Sequence, residues 1–299
     1  MVLDRLLPLL GSFENQVVLV TGASSGIGRE IAVSFGRLQA SVALVARRRS
    51  QLQETAEQIT DAGGEALIVP ADVTNERAVH DGVAAVRRKW KRIDVLVNCA
   101  GVMLPARVGQ MAAADFERML RVNVFGALFA MQATLPFMEA RGRGSIVNIA
   151  SLAGRRGYSP LGGYCASKFA LLGLTEALRT EVDDGNIHVG LVLPGVVDTP
   201  MIENVDQREV LTGWPVMLNM PVEWVALATI LATRFRLREI SVPPGAATLE
   251  VLAALSPTVS DTLISWINAA GRAINRATSS ERAPRQRTAR PRSRPRSRG

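Results

Sequence analysis

Short runs of β-branched and aliphatic residues alternate along this chain with longer stretches of helical periodicity, almost without interruption. Gln16–Val20 reads as a strand and Ile27–Leu38 as a helix. Ser41–Ala46 with Ser50–Ala62, Ala66–Val69 with Glu76–Trp90, and Asp94–Asn98 with Asp115–Met138 repeat the unit. Ser145–Ile149 with Gly163–Val182, His188–Leu193 with Glu223–Phe235, and a last short strand Ile240–Val242 complete it. Strands separated by helices are joined in parallel, through right-handed crossovers. Several strands are apolar at consecutive positions, as a sheet covered on both faces requires. The expected fold class is α/β: a doubly wound, parallel, seven-stranded sheet with helices on both faces.

Composition fits that layering. Hydrophobic residues make up 47% of the 299 residues but aromatics only 5%, so the core is built mainly of Ala, Val, Leu and Ile. The net charge of +8 belongs to one end: from Arg272 onwards ten arginines face a single acid, Glu281, which leaves the rest close to neutral. A charged tail on a neutral body argues against a nucleic-acid-binding face. Two cysteines, Cys99 and Cys165, and two histidines, His80 and His188, show no metal-ligand spacing and no disulfide framework. Neither histidine is well placed for a Ser-His-Asp hydrolase. The first ten residues carry Asp4 and Arg5 and do not read as a secretory signal. The longest uncharged run, Val122–Met138, is 17 residues and includes Asn123, Gln132 and Pro136. A membrane span needs roughly 20 apolar residues, so this run reads as an internal or subunit-interface helix, and the expectation is a cytoplasmic protein.

Strand one runs directly into Thr21-Gly22-Ala23-Ser24-Ser25-Gly26-Ile27-Gly28, with a helix after it. This is a respaced relative of the dinucleotide-binding fingerprint, in its required context, and makes the expected sheet Rossmann-type. Gly22 allows the sharp turn, Gly26 lets a diphosphate approach the backbone, and Gly28 lets the helix pack on the sheet with its first amides facing the anion. At the end of strand two, an acid would bind the ribose 2′-OH of NAD, whereas Arg accommodates a 2′-phosphate. Here Ala46 is followed by Arg47, Arg48 and Arg49. Arg47 is best placed to grip a phosphate in bidentate fashion, with Arg48 beside it. The expected cofactor is NADP(H), with NAD(H) as the alternative.

Further landmarks follow in order: Asp72-Val73, Asn98-Cys99-Ala100-Gly101, Asn123, Ser151, Tyr164-x3-Lys168, and Pro194-Gly195 with Thr199. With the glycine turn they resemble the classical short-chain dehydrogenase/reductase family, over roughly residues 14–244. Cys99 stands where that family more often has a second Asn. Tyr164 and Lys168, spaced i, i+4, share one face of a helix, and the ammonium, together with the positive nicotinamide ring of an oxidised cofactor, is expected to lower the phenol's pKa from about 10 towards working pH. Tyr164 is then the general acid/base of a carbonyl–alcohol interconversion, and Ser151 donates to the substrate oxygen as charge develops. The resemblance implies that Lys168 also binds the nicotinamide ribose and that Asn123 holds a water in the relay to it. It implies that Asp72 and Val73 flank the adenine, that Asn98, Ala100 and Gly101 line the cofactor floor, and that Pro194, Gly195 and Thr199 meet the nicotinamide. Ser24, Ser25 and Ile27 complete the phosphate turn.

Gly195–Pro221 sits where a substrate-covering loop would, and it is apolar (Met201, Val205, Leu211, Trp214, Met217) with no cluster of arginines in it. A lipophilic ketone or alcohol is the expected substrate. The reading divides the chain into a lead-in 1–13, a catalytic domain 14–244, a helical extension 245–277 with Leu249, Leu252, Leu255, Leu263, Trp266 and Ile267 at helical spacing, and an Arg-rich disordered tail 278–299. The extension would pack on the body or make peripheral membrane contact, helped by the arginines at about 1 kcal/mol per charge near an anionic surface. A homodimer or homotetramer is implied by the resemblance. Two rivals are a dinucleotide-sensing protein without turnover, against which the intact Tyr/Lys pair argues, and a nucleic-acid binder, against which the lack of any recognition fold argues.

Overall fold

The computed structural model describes residues 10–182, 186–203 and 220–246. Seven strands form one parallel sheet: β1 Val17–Thr21, β2 Ser41–Ala46, β3 Glu65–Pro70, β4 Val95–Asn98, β5 Gly144–Ile149, β6 Ile187–Pro194 and β7 Glu239–Val242. Their spatial order is β3-β2-β1-β4-β5-β6-β7. The helices between them are α1 Gly26–Arg37, α2 Arg49–Asp61, α3 Glu76–Trp90, α4 Ala113–Leu120, α5 Gly126–Ala140, α6 Gly162–Glu181 and α7 Val222–Arg234, with a single helical turn at Pro200–Glu203.

The double winding follows from the period-two geometry of the strands. Val18, Val20, Val42, Leu44, Val95, Val97, Val147 and Ile149 point to one face and pack with α1, α2 and α7. Their neighbours Val17, Leu19, Ala43, Val45, Leu96 and Ile146 point to the other, against α3, α5 and α6. Every residue of β1, β4 and β6 is buried, which explains their unbroken apolar runs. Phe13, placed by sequence in the lead-in, is 1% exposed and meets Phe35 edge-on at 5.1 Å.

Element boundaries fall within a residue or two of expectation, with one exception. The single helix expected over Asp115–Met138 is broken by a π-type turn at Arg121–Phe125. The helix widens where Asn123, 1% exposed, turns inward to bond the loop after β4 and helix α6. Inserted π turns of this kind often mark functional segments. Among the described residues no helix is long and apolar enough to cross a membrane. The extension after Ala246, the Arg-rich tail and most of the lead-in lie outside the described residues, as do residues 204–219 of the substrate-covering loop.

Candidate active site

The chain leaves β1 towards β2 on one side and returns as β4 on the other, so a crevice opens at the strands' C-terminal ends between them. Open parallel sheets bind ligands at such switch points. Here the crevice is a cleft of about 1450 Å³, reaching from the glycine turn and Arg47 to Ser151, Tyr164 and Met201.

The glycine turn is shaped by what it lacks. Gly22 has φ +72°, and a Cβ there would lie 2.8 Å from the backbone of Ala100. At Gly28 a Cβ would fall 2.3 Å from the Gly22 carbonyl oxygen, so the first turn of α1 sits directly on the strand end. The Gly22 and Ala23 amides donate to the Val45 carbonyl at 2.8 and 3.3 Å. No side chain caps α1 from Ser25, so the first-turn amides of Gly26 and Ile27, both lining the cleft, are available to an anion. Backbone amides on a helix N-terminus, beside a cradle that a Cβ would fill, suit a dinucleotide diphosphate. Thr199 closes the turn from above, 3.4 Å from where a Gly26 Cβ would be.

Arg47 and Arg48 follow directly on β2, both exposed and both lining the cleft, and no acid stands there. Asp72 and Val73 line it after β3. The Asp72 carboxylate accepts from the Thr74 amide at 2.9 Å and the Thr74 hydroxyl at 2.8 Å, which holds the turn into α3. After β4, Thr21 Oγ1 accepts from the amides of Cys99 and Ala100 at 3.1 and 3.2 Å, tying the floor residues Ala100 and Gly101 to β1.

At the opposite end three groups converge. Ser151, next after Ala150 at the end of β5, starts a tight 3-10 turn; its hydroxyl accepts from the Ala153 amide at 3.1 Å and donates to the Pro194 carbonyl at 3.2 Å. Tyr164 and Lys168 lie one turn apart on α6, with the ammonium 5.8 Å from the phenol ring centre. Lys168 is 5% exposed and donates to the Ile149 carbonyl at 2.9 Å. Burial pulls its pKa down to about 8, against the pull of the neighbouring Cys99 thiol. Burial pushes the Tyr164 phenol up to about 12, partly offset by its hydrogen bond with Ser151.

All the residues expected in the site line the cleft except Asn98 and Asn123, which stand behind its wall. Asn98 Nδ2 donates to Asn148 Oδ1 at 2.9 Å, inside the core. The Asn123 carboxamide takes the Val102 amide at 2.8 Å and donates to the Val102 carbonyl and Ser167 Oγ, each at 2.9 Å. Ser167 in turn donates to the Tyr164 carbonyl at 2.7 Å, so Asn123 braces the loop after β4 against α6. Among the described residues no group of three His, Cys, Asp or Glu side chains gathers to hold a metal.

The sequence matches the short chain dehydrogenase family model over residues 16–210. The chain belongs to this family. It is 36% identical over 200 residues to an uncharacterized oxidoreductase of Staphylococcus epidermidis, covering 67% of this chain and 86% of that protein. It is 36% identical over 196 residues to a sorbitol dehydrogenase of Cereibacter sphaeroides, covering 65% and 75%. A CLA biosynthesis dehydrogenase/reductase of Lactiplantibacillus plantarum is 34% identical over 199 residues, covering 66% and 70%. Among solved structures, levodione reductase superposes with a TM-score of 0.73 at 27% identity, over 79% of this chain and 99% of that one. The protein is thus a short-chain dehydrogenase/reductase oxidoreductase, of a family that uses NAD(P).

Some cleft-lining groups carry no motif in the sequence. Arg107, Arg118, Arg121 and Arg156 line the cleft outside the loop on which the substrate expectation rests. They make the mouth positive, with Glu117 already paired to Arg121 at 3.0 Å. Arg155, by contrast, turns away to Glu176 and Glu239. Charges of this kind belong to loops and exposed helix faces, where single residues look like ordinary surface.

Proposed function

We propose that the protein is an NADP(H)-dependent oxidoreductase that interconverts a ketone or aldehyde with its alcohol, with Tyr164 as general acid/base. The observation that carries this reading is the meeting of Ser151, Tyr164 and Lys168 in one cleft with an uncapped helix N-terminus at its other end. The cofactor supplies or accepts the hydride at the carbonyl carbon. Ser151 donates a hydrogen bond to the carbonyl oxygen, and the neutral Tyr164 phenol gives its proton to that oxygen as it gains charge. In the alcohol-oxidising direction the phenol must first lose its proton. Lys168, held on the Ile149 carbonyl, stabilises the phenolate and binds the nicotinamide ribose, and Asn123 supports the relay that returns the proton to solvent.

Arg47, with Arg48, selects the 2′-phosphate. Gly22 to Gly28, Asp72, Val73, Ala100, Gly101, Pro194, Gly195 and Thr199 form the rest of the cofactor site, with Asn98 supporting its floor from behind. Met103, Pro105, Leu152, Leu161, Val196 and Met201 give the substrate end an apolar wall, which favours a lipophilic carbonyl compound. The catalytic domain spans residues 14–244 and assembles as a dimer or tetramer in the cytoplasm. Nucleic acid is not a partner.

Fluorescence titration with NADPH and NADH, followed by turnover on a panel of neutral and charged carbonyl compounds, tests each part. Tyr164→Phe should cut turnover by roughly 10²–10⁴-fold while NADPH affinity stays within about twofold. Wild-type turnover in that variant would refute the reading. A panel in which only small charged oxo-acids react would remove the lipophilic substrate.

A further inference from the structure

Behind the cleft a chain of polar side chains crosses the core between β4, β5 and α6. Thr175 Oγ1 donates to the Leu171 carbonyl at 2.6 Å, one turn back on α6. Its single proton being used there, it can only accept from Asn148, whose Nδ2 lies at 2.8 Å. That orients the Asn148 carboxamide, so its Oδ1 faces Asn98 Nδ2 at 2.9 Å. One backbone carbonyl therefore sets the direction of the whole chain. Asn148 and Thr175 are fully buried, and Asn98 Oδ1 finds no protein partner among the described residues. A buried acceptor left so costs about 1–3 kcal/mol, and an apolar trio would not carry that cost. Stability is a poor reason for these side chains to be polar.

Their position supplies a better one. Asn148 and Ile149 are consecutive on β5; the side chain of the first holds Thr175, and the carbonyl of the second holds Lys168 Nζ. Thr175 is seven residues after Lys168 on α6, roughly 10 Å along the axis. Helix α6 is thereby pinned to β5 at two separate points. Apolar contacts are non-directional and tolerate a small slide of the helix; a buried hydrogen bond does not. We infer that Asn148 and Thr175 are positioning residues that fix the height of α6 over β5, and with it the placement of the Tyr164 phenol and Lys168 ammonium relative to Ser151. The inference rests on the role proposed for those three groups.

The chain contains only two tyrosines, Tyr158 and Tyr164, so phenolate absorbance can follow one group. Subtracting the titration of Tyr164→Phe from that of the full-length protein with saturating NADP+ isolates Tyr164, without any substrate. In Thr175→Val, which keeps the shape and removes the hydroxyl, the Tyr164 midpoint should move up by about one pH unit and turnover should fall about tenfold. KM and NADPH affinity should stay within about twofold. Thr175→Ser, which restores the hydroxyl, should return midpoint and turnover to near wild type. Should Thr175→Val not fold, Thr175→Ala gives the same readout with a smaller side chain. A lowered melting temperature with an unmoved Tyr164 midpoint and unchanged turnover would overturn the inference, since that is what a merely structural pair produces. Turnover surviving in Tyr164→Phe is the separate result that removes the underlying reading.

Discussion

At the β1 end of the cleft the ligand-facing surface is backbone: glycines remove side chains so that α1 can lie against Gly22 and present its amides. At the α6 end the surface is side chain, and Lys168 and Tyr164 sit there with their pKa values displaced by burial. The first end does its work through geometry that no pH change alters. The second holds groups that the fold would be more comfortable without. Phosphate holding can thus be rigid and cheap, whereas proton transfer requires titratable groups at a cost to the fold.

The largest effect should come from removing the costly group. Lys168 has a folded pKa of about 8 against 10.5 when solvated. A depressed pKa on a base means that the ammonium destabilises the fold below about 8. The penalty shrinks as pH rises from about 8 to 10.5 and vanishes above, where folded and unfolded forms are both neutral. Lys168→Met should therefore raise stability at neutral pH by roughly 2–3 kcal/mol in thermal unfolding without cofactor, while turnover falls by roughly 10²–10³-fold. The stability gap from wild type should close as the pH is taken above about 8. A variant less stable than wild type at pH 7 would mean that the lysine is structurally favourable, and the contrast between the two ends would fail.

The glycine end should respond the other way. Gly28→Ala places a methyl 2.3 Å from the Gly22 carbonyl oxygen, with backbone on both sides of the clash. Forcing the helix off the strand should cost about 1–3 kcal/mol of stability and weaken NADPH about a hundredfold, as the first-turn amides lose their aim. Neither loss should depend on pH between 6 and 9, which the same titration and melting curves at several pH values will show. Loss of stability with unchanged cofactor affinity would separate the packing role of Gly28 from any part in phosphate holding.

How much of this was legible in the sequence divides along the same line. The glycine turn could be read because its parts are contiguous and each glycine answers to a local constraint. Tyr164 and Lys168 could be read because they stand in the ordered set of landmarks that resembles the family; their i, i+4 spacing alone is that of an ordinary helix pair. Alternating runs predicted the sheet, since period two and period 3.6 are both short-range. What was hidden is long-range or unpatterned. The π turn at Arg121–Phe125 escaped because it is set by the bonds Asn123 makes to Val102 and Ser167, 21 and 44 residues away in the chain. Asn148 and Thr175 are 27 residues apart, and each alone looks like an ordinary strand or helix residue. The burial that raises the Tyr164 phenol follows from the depth of the cleft, which spacing does not report.

The smallest expected effect tests the one place where a side chain enters the otherwise backbone-built end. Arg47 is exposed and follows directly on β2, so any phosphate it grips remains hydrated and partly screened. A charge-assisted bond there is worth about 1–1.5 kcal/mol after discounting for solvent, or about tenfold in affinity. Arg47→Leu should weaken NADPH by about that factor and leave NADH unchanged, and the difference should shrink between low salt and roughly 0.5 M salt as screening shortens to a few ångströms. Arg47→Asp should go further and favour NADH, since the carboxylate repels a 2′-phosphate and accepts from a free 2′-OH. If Arg47→Leu binds both cofactors as wild type does, the same titration of Arg48→Leu decides whether Arg48, the residue that precedes α2, holds the phosphate instead. Equal NADPH and NADH affinities in wild type would show that this end relies on backbone alone.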